Sequence, residues 1–319
     1  MKKKRLGATV WKNIILCILF LIWLNNTTIF QPNEHYDLLA HRGVAQTFDV
    51  SKVDFDTNTA EIIYPPEHDF LENTIPSMKA AFDYGATMVE LDIKRTKDDN
   101  LAVFHDSTLS YRTDYSREVA DYTMEELKKA DIGYGYTADG GKTYPFRGKG
   151  IGLMPTLDEV FGEFPNREFL VHVKDGDIKT CDVLMEKLKP LSEEQLQKIS
   201  VYGDDNAMEY LRSKDANLRL LSKKMLKKAL LNYMIVGFTG YVPESARNMQ
   251  IHIPIKYAKF LWGWPSKFVQ RMEKVNTKVV IVEGDGKLSE GFDTLESLKK
   301  ISPKYGGYVW TNRIDKIGK

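Results

Sequence analysis

The chain has 319 residues, 43% hydrophobic and 28% charged, with no low-complexity tract, which excludes a disordered or fibrous protein. Its net charge of +1 is uneven: Lys2, Lys3, Lys4, Arg5 and Lys12 precede the first acidic residue, Glu34, so the rest of the chain carries −4. A mildly acidic body excludes nucleic acid as a partner, and two cysteines, Cys17 and Cys181, exclude a disulfide-built scaffold.

In chain order, a basic leader, MKKKRLGATVWKN, runs into eleven unbroken apolar residues, Ile14–Leu24. At about 1.5 Å per residue these cover roughly half of a ~30 Å hydrocarbon core. Basic flank and short apolar run predict an export signal over residues 1–30. The following Asn25-Asn26-Thr27-Thr28 lacks a small-residue cleavage motif, so removal and retention as a signal-anchor both stand. The protein is expected to be exported, either free in a periplasmic or extracytoplasmic space or held on a membrane through residues 14–24.

Residues 31–319 read as one domain. Asp37–Ala40 is a strand delivering His41, Arg42 and Gly43 at its end. Residues 44–71 are acidic and aromatic (Asp49, Asp54, Asp56, Glu61, Tyr64, Glu67, His68) and expected to be an inserted loop, either a lid or a surface decoration. Glu72-Asn73-Thr74 opens a helical segment, IPSMKAAFDYG. Next, Val89, Leu91 and Ile93 alternate with Glu90, Asp92 and Lys94; side chains two apart on a strand share a face, so Glu90 and Asp92 project together. Two adjacent buried carboxylates repel at a cost of several kcal/mol unless a cation, most simply a divalent metal ion, lies between them. Beyond the turn at Lys97–Asn100, Leu101–Phe104 is a second strand ending in His105-Asp106.

Thr123–Ala130 is a helix with a capping box between Thr123 and Glu126. The glycine-rich loop Gly133–Met154 is not a phosphate loop, because Tyr136 stands where the pattern needs glycine. Its aromatics (Tyr134, Tyr136, Tyr144, Phe146) are candidates for substrate contact. Thr156–Phe164 begins a helix, and Glu168–Val173 is a strand in which His172 shares a polar face with Lys174. Later strands fall at Lys198–Tyr202, Leu218–Leu221, Gln250–Pro254, Lys278–Val282 and Gly307–Thr311, making nine candidates in all. Their alternation with helices predicts a parallel sheet. Ser222–Val236 is basic and amphipathic and Tyr257–Arg271 interleaves aromatics with lysines; each is either a barrel-covering helix or a lipid-facing surface. His35, His68 and His252 read as structural or surface residues.

HRG at 41–43, ENT at 72–74, ExD at 90–92, a strand ending in HD at 105–106, and Pro155–Val160 with Lys174 together resemble the glycerophosphodiester phosphodiesterase family. The likeness is dense from Leu38 to Lys174 and thinner to Arg313. It implies a TIM (β/α)8 barrel, here with a long insertion after the first strand and an N-terminal signal or anchor segment; with nine strand candidates, one is misassigned or lies outside the closed sheet. It implies metal-dependent hydrolysis of glycerophosphodiesters to sn-glycerol 3-phosphate and an alcohol. His41 and His105 would be the acid–base pair, Arg42 and Lys174 the phosphate binders, and Glu90 and Asp92 the ligands of one divalent metal ion. Glu72 would touch the metal or brace the site, and Asn73 would support it. One departure matters: the family usually has a glutamate, a third ligand, where this chain has His172. Family likeness implies Ca²⁺ or Mg²⁺; an imidazole favours Mn²⁺, Co²⁺ or Zn²⁺. The alternatives are lysophospholipase-D-like cleavage of lysolipids and a catalytically silent barrel that only binds a phosphate ligand.

Overall fold

The computed structural model describes residues 2–54, 57–285 and 290–318; Asp56 of the 44–71 segment lies outside them. Among the described residues nine strands form: β1 (Asp37–His41), β2 (Met88–Arg95), β3 (Leu101–Val103), β4 (Glu168–Val173), β5 (Ile199–Gly203), β6 (Arg219–Leu221), β7 (Gln250–Pro254), β8 (Lys278–Val282) and β9 (Tyr308–Thr311). The helices are α1 (Lys2–Asn26), α2 (Ile75–Asp83), α3 (Met124–Leu127), α4 (Leu157–Glu163), α5 (Ile178–Leu188), α6 (Glu193–Leu196), α7 (Asp205–Lys214), α8 (Lys223–Val236), α9 (Ile255–Ala258), α10 (Ser266–Glu273), α11 (Leu295–Leu298) and α12 (Ile314–Ile317).

Eight strands lie in the order β6-β5-β4-β2-β1-β9-β8-β7, all parallel. The ends meet through a single parallel bridge, Leu220 to Met249, so the barrel is nearly closed. This is the TIM-barrel arrangement. The ninth strand is β3. It folds back antiparallel on β2 through the Thr96–Asn100 turn, where Asp99 takes a φ of 55°, and stands outside the barrel path. Alternation of side chains fixes a strand but not the direction of its partner.

Three apolar clusters organise the molecule. The largest packs the outer sheet face against the covering helices. A second fills the barrel axis with Leu39, Met88, Leu170, Val280 and Trp310. The third lies beside the barrel mouth, where Ala60, Ile63 and Leu71 join Phe104, Leu109, Tyr136 and Phe146. Residues 44–71 therefore help build a core of their own, and Thr137 N donates to Ala60 O at 2.9 Å. Tyr136 and Phe146 are core residues, 1% and 0% exposed, and so unavailable for the substrate contact that their loop position suggests.

The helix starts follow their capping residues. Thr74 and Ser77 cap α2 reciprocally, as Thr123 and Glu126 do α3 and Thr156 and Glu159 do α4. α3 is one turn rather than the two its sequence suggests, because the chain leaves it at Lys128.

Candidate active site

Parallel strands bring their carboxyl ends to one rim, and the polar residues legible in the sequence collect there. His41 ends β1; Glu90 and Asp92 lie on β2, and His172 on β4 is paired in register with Asp92. Gly43 is obligatory at this rim: its φ is +78°, and a Cβ would come within 2.6 Å of Ser77 Oγ and 2.8 Å of the Ser77 backbone. Arg42 and Asn73 are also left-handed, with φ of 60° and 59°, and Asn73 N donates to Arg42 O at 3.0 Å. Strain of this kind persists where surrounding structure fixes the chain.

The two imidazoles are held alike. His105 Nδ1 lies 2.7 Å from Asp106 Oδ1, and the carboxylate can only accept, so Nδ1 carries the proton and Nε2 is the free base. Lys174 Nζ donates to that Nε2 at 3.0 Å. His41 Nδ1 lies 2.7 Å from Asn312 Oδ1. Asn312 Nδ2 donates to Asp293 Oδ2 at 3.0 Å, which turns the amide oxygen toward His41 and fixes the same tautomer there. Burial, then the nearby Arg42 charge, pushes His41 down to about 3 and His105 down to about 4, so both rings are neutral at pH 7.

Beside them, atoms of Glu90, Asp92 and His172 lie within 4.8 Å of one another. Asn73 Nδ2 donates to Asp92 Oδ2 at 3.0 Å, and Asp92 N donates to Asn73 Oδ1 at 3.2 Å. His172 stacks on Tyr202 with centroids 3.9 Å apart, and its Nδ1 is 2.9 Å from Asp92 Oδ1. Tyr202 OH donates to Glu90 Oε1 at 2.6 Å. The other oxygen, Glu90 Oε2, is buried without a hydrogen-bond donor among the described residues. Burial and the adjacent Asp92 charge push the Glu90 carboxyl well up. Burial opposes the charge on Asp92 too, but Arg42, His105 and the His172 hydrogen bond outweigh it and hold that carboxyl low. An orphaned carboxylate oxygen beside a second carboxylate and an imidazole fits a divalent cation.

Glu72 stands outside that group. Its Oε1 accepts from Arg42 Nη1 at 2.8 Å and its Oε2 from Arg112 Nη2 at 3.3 Å. Arg42 reaches Asp92 as well, with Nε 3.1 Å from Oδ2. Arg112, 3% exposed, also bonds Asp106, Tyr136 OH and Thr59 Oγ1, tying residues 44–71 to the barrel rim. Arg112, Tyr202, Asp293 and Asn312 are site residues that pattern reading misses. Tyr202 and Asn312 were accessible through their place at the ends of predicted strands; Arg112 sits in a loop without periodicity. Of the remaining histidines, His252 lies inside the barrel against Tyr202 and Trp310, His68 bonds Gln46, and His35 is exposed.

The Glycerophosphoryl diester phosphodiesterase family profile matches residues 41–260, well over half of the chain. The chain belongs to that family. Among curated relatives, a glycerophosphodiester phosphodiesterase of Caldanaerobacter subterraneus is 42% identical over 103 residues, 32% of this chain and 39% of its own. A human lysophospholipase D is 26% identical over 190 residues, 58% of this chain and 57% of its own. The chain thus spans about two fifths of the length of the first of these relatives. Solved family structures share the fold at low identity. The glycerophosphoryl diester phosphodiesterase domain of a Mycobacterium tuberculosis protein superposes with a TM-score of 0.60 at 13% identity, covering 88% of this chain and 97% of that one. A Parabacteroides distasonis family member gives 0.56 at 18%, covering 92% and 87%.

Proposed function

We propose that this family member hydrolyses glycerophosphodiesters to sn-glycerol 3-phosphate and an alcohol, with residues 31–319 as the catalytic barrel and 44–71 as an inserted wall of its mouth. Residues 1–30 act as an export signal or retained anchor and place the enzyme outside the cytoplasm. The observation that carries the reading is the pair of tautomer-fixed imidazoles, His41 and His105, each with an unprotonated Nε2 beside the carboxylate–imidazole triad, that of His105 accepting from Lys174. One ring, neutral, takes the proton of the attacking water on Nε2, while the other, which takes up a proton on Nε2 as the anionic phosphodiester binds, gives that proton to the leaving oxygen; Asn312 and Asp106 keep the Nδ1 proton on each ring, so Nε2 is the atom that exchanges. Lys174 and Arg42 offset the charge of the phosphodiester, and the surrounding core excludes bulk water.

Glu90, Asp92 and His172 would hold the divalent cation, which when bound supplies Lewis-acid polarisation of a non-bridging phosphoryl oxygen. With two carboxylates and one imidazole, Mn²⁺, Co²⁺ or Zn²⁺ should bind more tightly than Ca²⁺ or Mg²⁺. In calorimetric titration of the purified chain, His172→Glu is expected to shift the order toward Ca²⁺ and Mg²⁺. Unchanged affinities in that variant would remove His172 from the ligand set.

The likeness to a lysophospholipase D, together with the apolar α1, favours lysolipid cleavage as the second reading. Alcohol release from glycerophosphocholine and from lysophosphatidylcholine, compared across Ca²⁺, Mg²⁺, Mn²⁺, Co²⁺ and Zn²⁺, separates the two. Faster release from glycerophosphocholine supports the main reading, faster release from the lysolipid the second. Release from neither would favour a silent phosphate-binding barrel.

A further inference from the structure

Helix α1 is longer than its eleven-residue apolar run. It is continuous from Lys2 to Asn26, and the stretch Thr9–Asn26 has a mean hydropathy of 1.4 with none of it buried against the rest of the chain. At about 1.5 Å per residue, 25 residues are long enough to cross a ~30 Å hydrocarbon core.

The end of this helix is built into the barrel rather than left as a tether. The last carbonyls of a helix need donors, and cations there also suit the helix dipole. Lys267 Nζ donates to Leu24 O at 2.7 Å and Asn25 O at 3.0 Å, and Arg271 Nη2 donates to Asn25 O at 2.8 Å. In return, Asn26 Nδ2 donates to Phe238 O at 2.8 Å. The chain after the helix is fixed too, with Lys304 Nζ donating to Thr28 O at 2.8 Å and Ile29 O at 2.6 Å. Lys304 precedes β9, and Glu34, bonded to Pro303 O at 2.9 Å, precedes β1. These contacts sit at the amino-terminal ends of the strands whose other ends carry His41 and Asn312.

Around the helix exit, apolar side chains face outward. Ile235 at the end of α8 is 70% exposed and Phe260 is 66% exposed; Tyr241, Trp262, Ile29 and Phe30 are exposed nearby in the fold. Two segments separated in sequence form this surface together. Trp262 Nε1 donates to Met234 O at 2.9 Å, Tyr233 OH donates to Trp262 O at 2.8 Å, and the Phe238 and Trp262 rings meet edge to face at 6.1 Å. Lysines border it, with Lys256 and Lys259 lying over the rings of Tyr257 and Phe260. Aromatic and aliphatic side chains fringed by lysines suit the headgroup layer of a bilayer.

We propose that this wall is a collar resting in the headgroup layer of the phospholipid bilayer that α1 crosses, with the catalytic mouth held toward the aqueous side. The proposal rests on α1 being retained as an anchor. The partner is a bilayer because a bilayer-length helix emerges within the patch itself and is rigidly docked there.

The test uses the full chain reconstituted in phosphatidylcholine–phosphatidylglycerol vesicles, with a nitrobenzoxadiazole label placed on one cysteine at a time and quenchers carried at known lipid depths. A label on the native, exposed Cys17 reports whether α1 is in the hydrocarbon. In a Cys17→Ser background, Phe260→Cys places the label on the collar. Lys79→Cys places it on α2, over β1 and β2, which lie opposite the β6–β7 seam. Thermal melts matching the parent establish that the labelled chains are folded. Deep quenching at Cys17, with shallow-quencher loss at 260 about threefold or more above that at 79, is the expected result. Deep quenching at Cys17 without quenching at 260 would overturn the collar while leaving the anchor intact. Absence of quenching at both would overturn both. A label at 260 shielded from aqueous quencher but untouched by lipid quenchers would mean that a second copy of the chain covers this wall, and would also overturn the proposal.

Discussion

His41→Ala and His105→Ala are each expected to lower kcat on glycerophosphocholine by about 10²–10⁴-fold, the usual loss when a general acid or base is removed. Neither should change the melting temperature much, because both rings lie on the rim and neither carries the core. In the proposed mechanism the two rings serve one proton transfer sequence, so the double variant should lose little more than the worse single variant. Steady-state kinetics at saturating substrate and metal give the comparison. A loss under tenfold in either single variant would show that its imidazole does not move a proton in the rate-limiting step.

Arg112→Met is expected to destabilise the fold by about 3–5 kcal/mol at pH 7, because it leaves two buried carboxylates without their cation. Arg112 meets Asp106 and Glu72 at once, and its neighbours Tyr136 and Thr59 leave little room for water. Burial opposes the charge on both carboxyls, but Arg112 overrides it on Asp106, and Arg112 and Arg42 together override it on Glu72; both are held below the ordinary carboxylate range. For such depressed groups the stabilisation is complete above the unfolded pKa of about 4 and is lost as pH falls through the lower folded values. The gap between parent and variant should therefore be widest near pH 7 and narrow below about pH 4. Urea unfolding at several pH values measures it. A gap independent of pH would mean that the loss comes from packing rather than from the charges.

The site was legible in the sequence where chemistry and strand periodicity coincide. Glu90 with Asp92 and His172 with Lys174 stand at even spacing on strands with apolar alternate faces, so their shared direction could be read without a structure. Pairing direction could not, so nothing in the sequence singled out β3, which turns back over β2, as the strand outside the barrel. Glu72 was ambiguous because a carboxylate suits a metal or an arginine equally, and its contact with Arg112, forty residues on, could not be read from the sequence. Asn312 could be read from its place after the last strand, but its partner Asp293, ahead of β9 in a stretch without periodicity, could not. The two amphipathic stretches, 222–236 and 257–271, were read as covering helices or lipid-facing surfaces; that they meet each other around the end of α1 depends on long-range packing alone.

The most direct test is phosphorus NMR of glycerophosphocholine incubated with the full chain, first with chelator and then with excess Ca²⁺, Mg²⁺, Mn²⁺, Co²⁺ or Zn²⁺, each metal being removed by chelator before the spectrum is recorded. The account predicts no change with chelator and, with metal, sn-glycerol 3-phosphate as the first phosphorus-bearing product. A cyclic phosphate appearing first would contradict direct attack by water, and an unchanged phosphodiester signal with every one of the five metals would contradict catalysis itself.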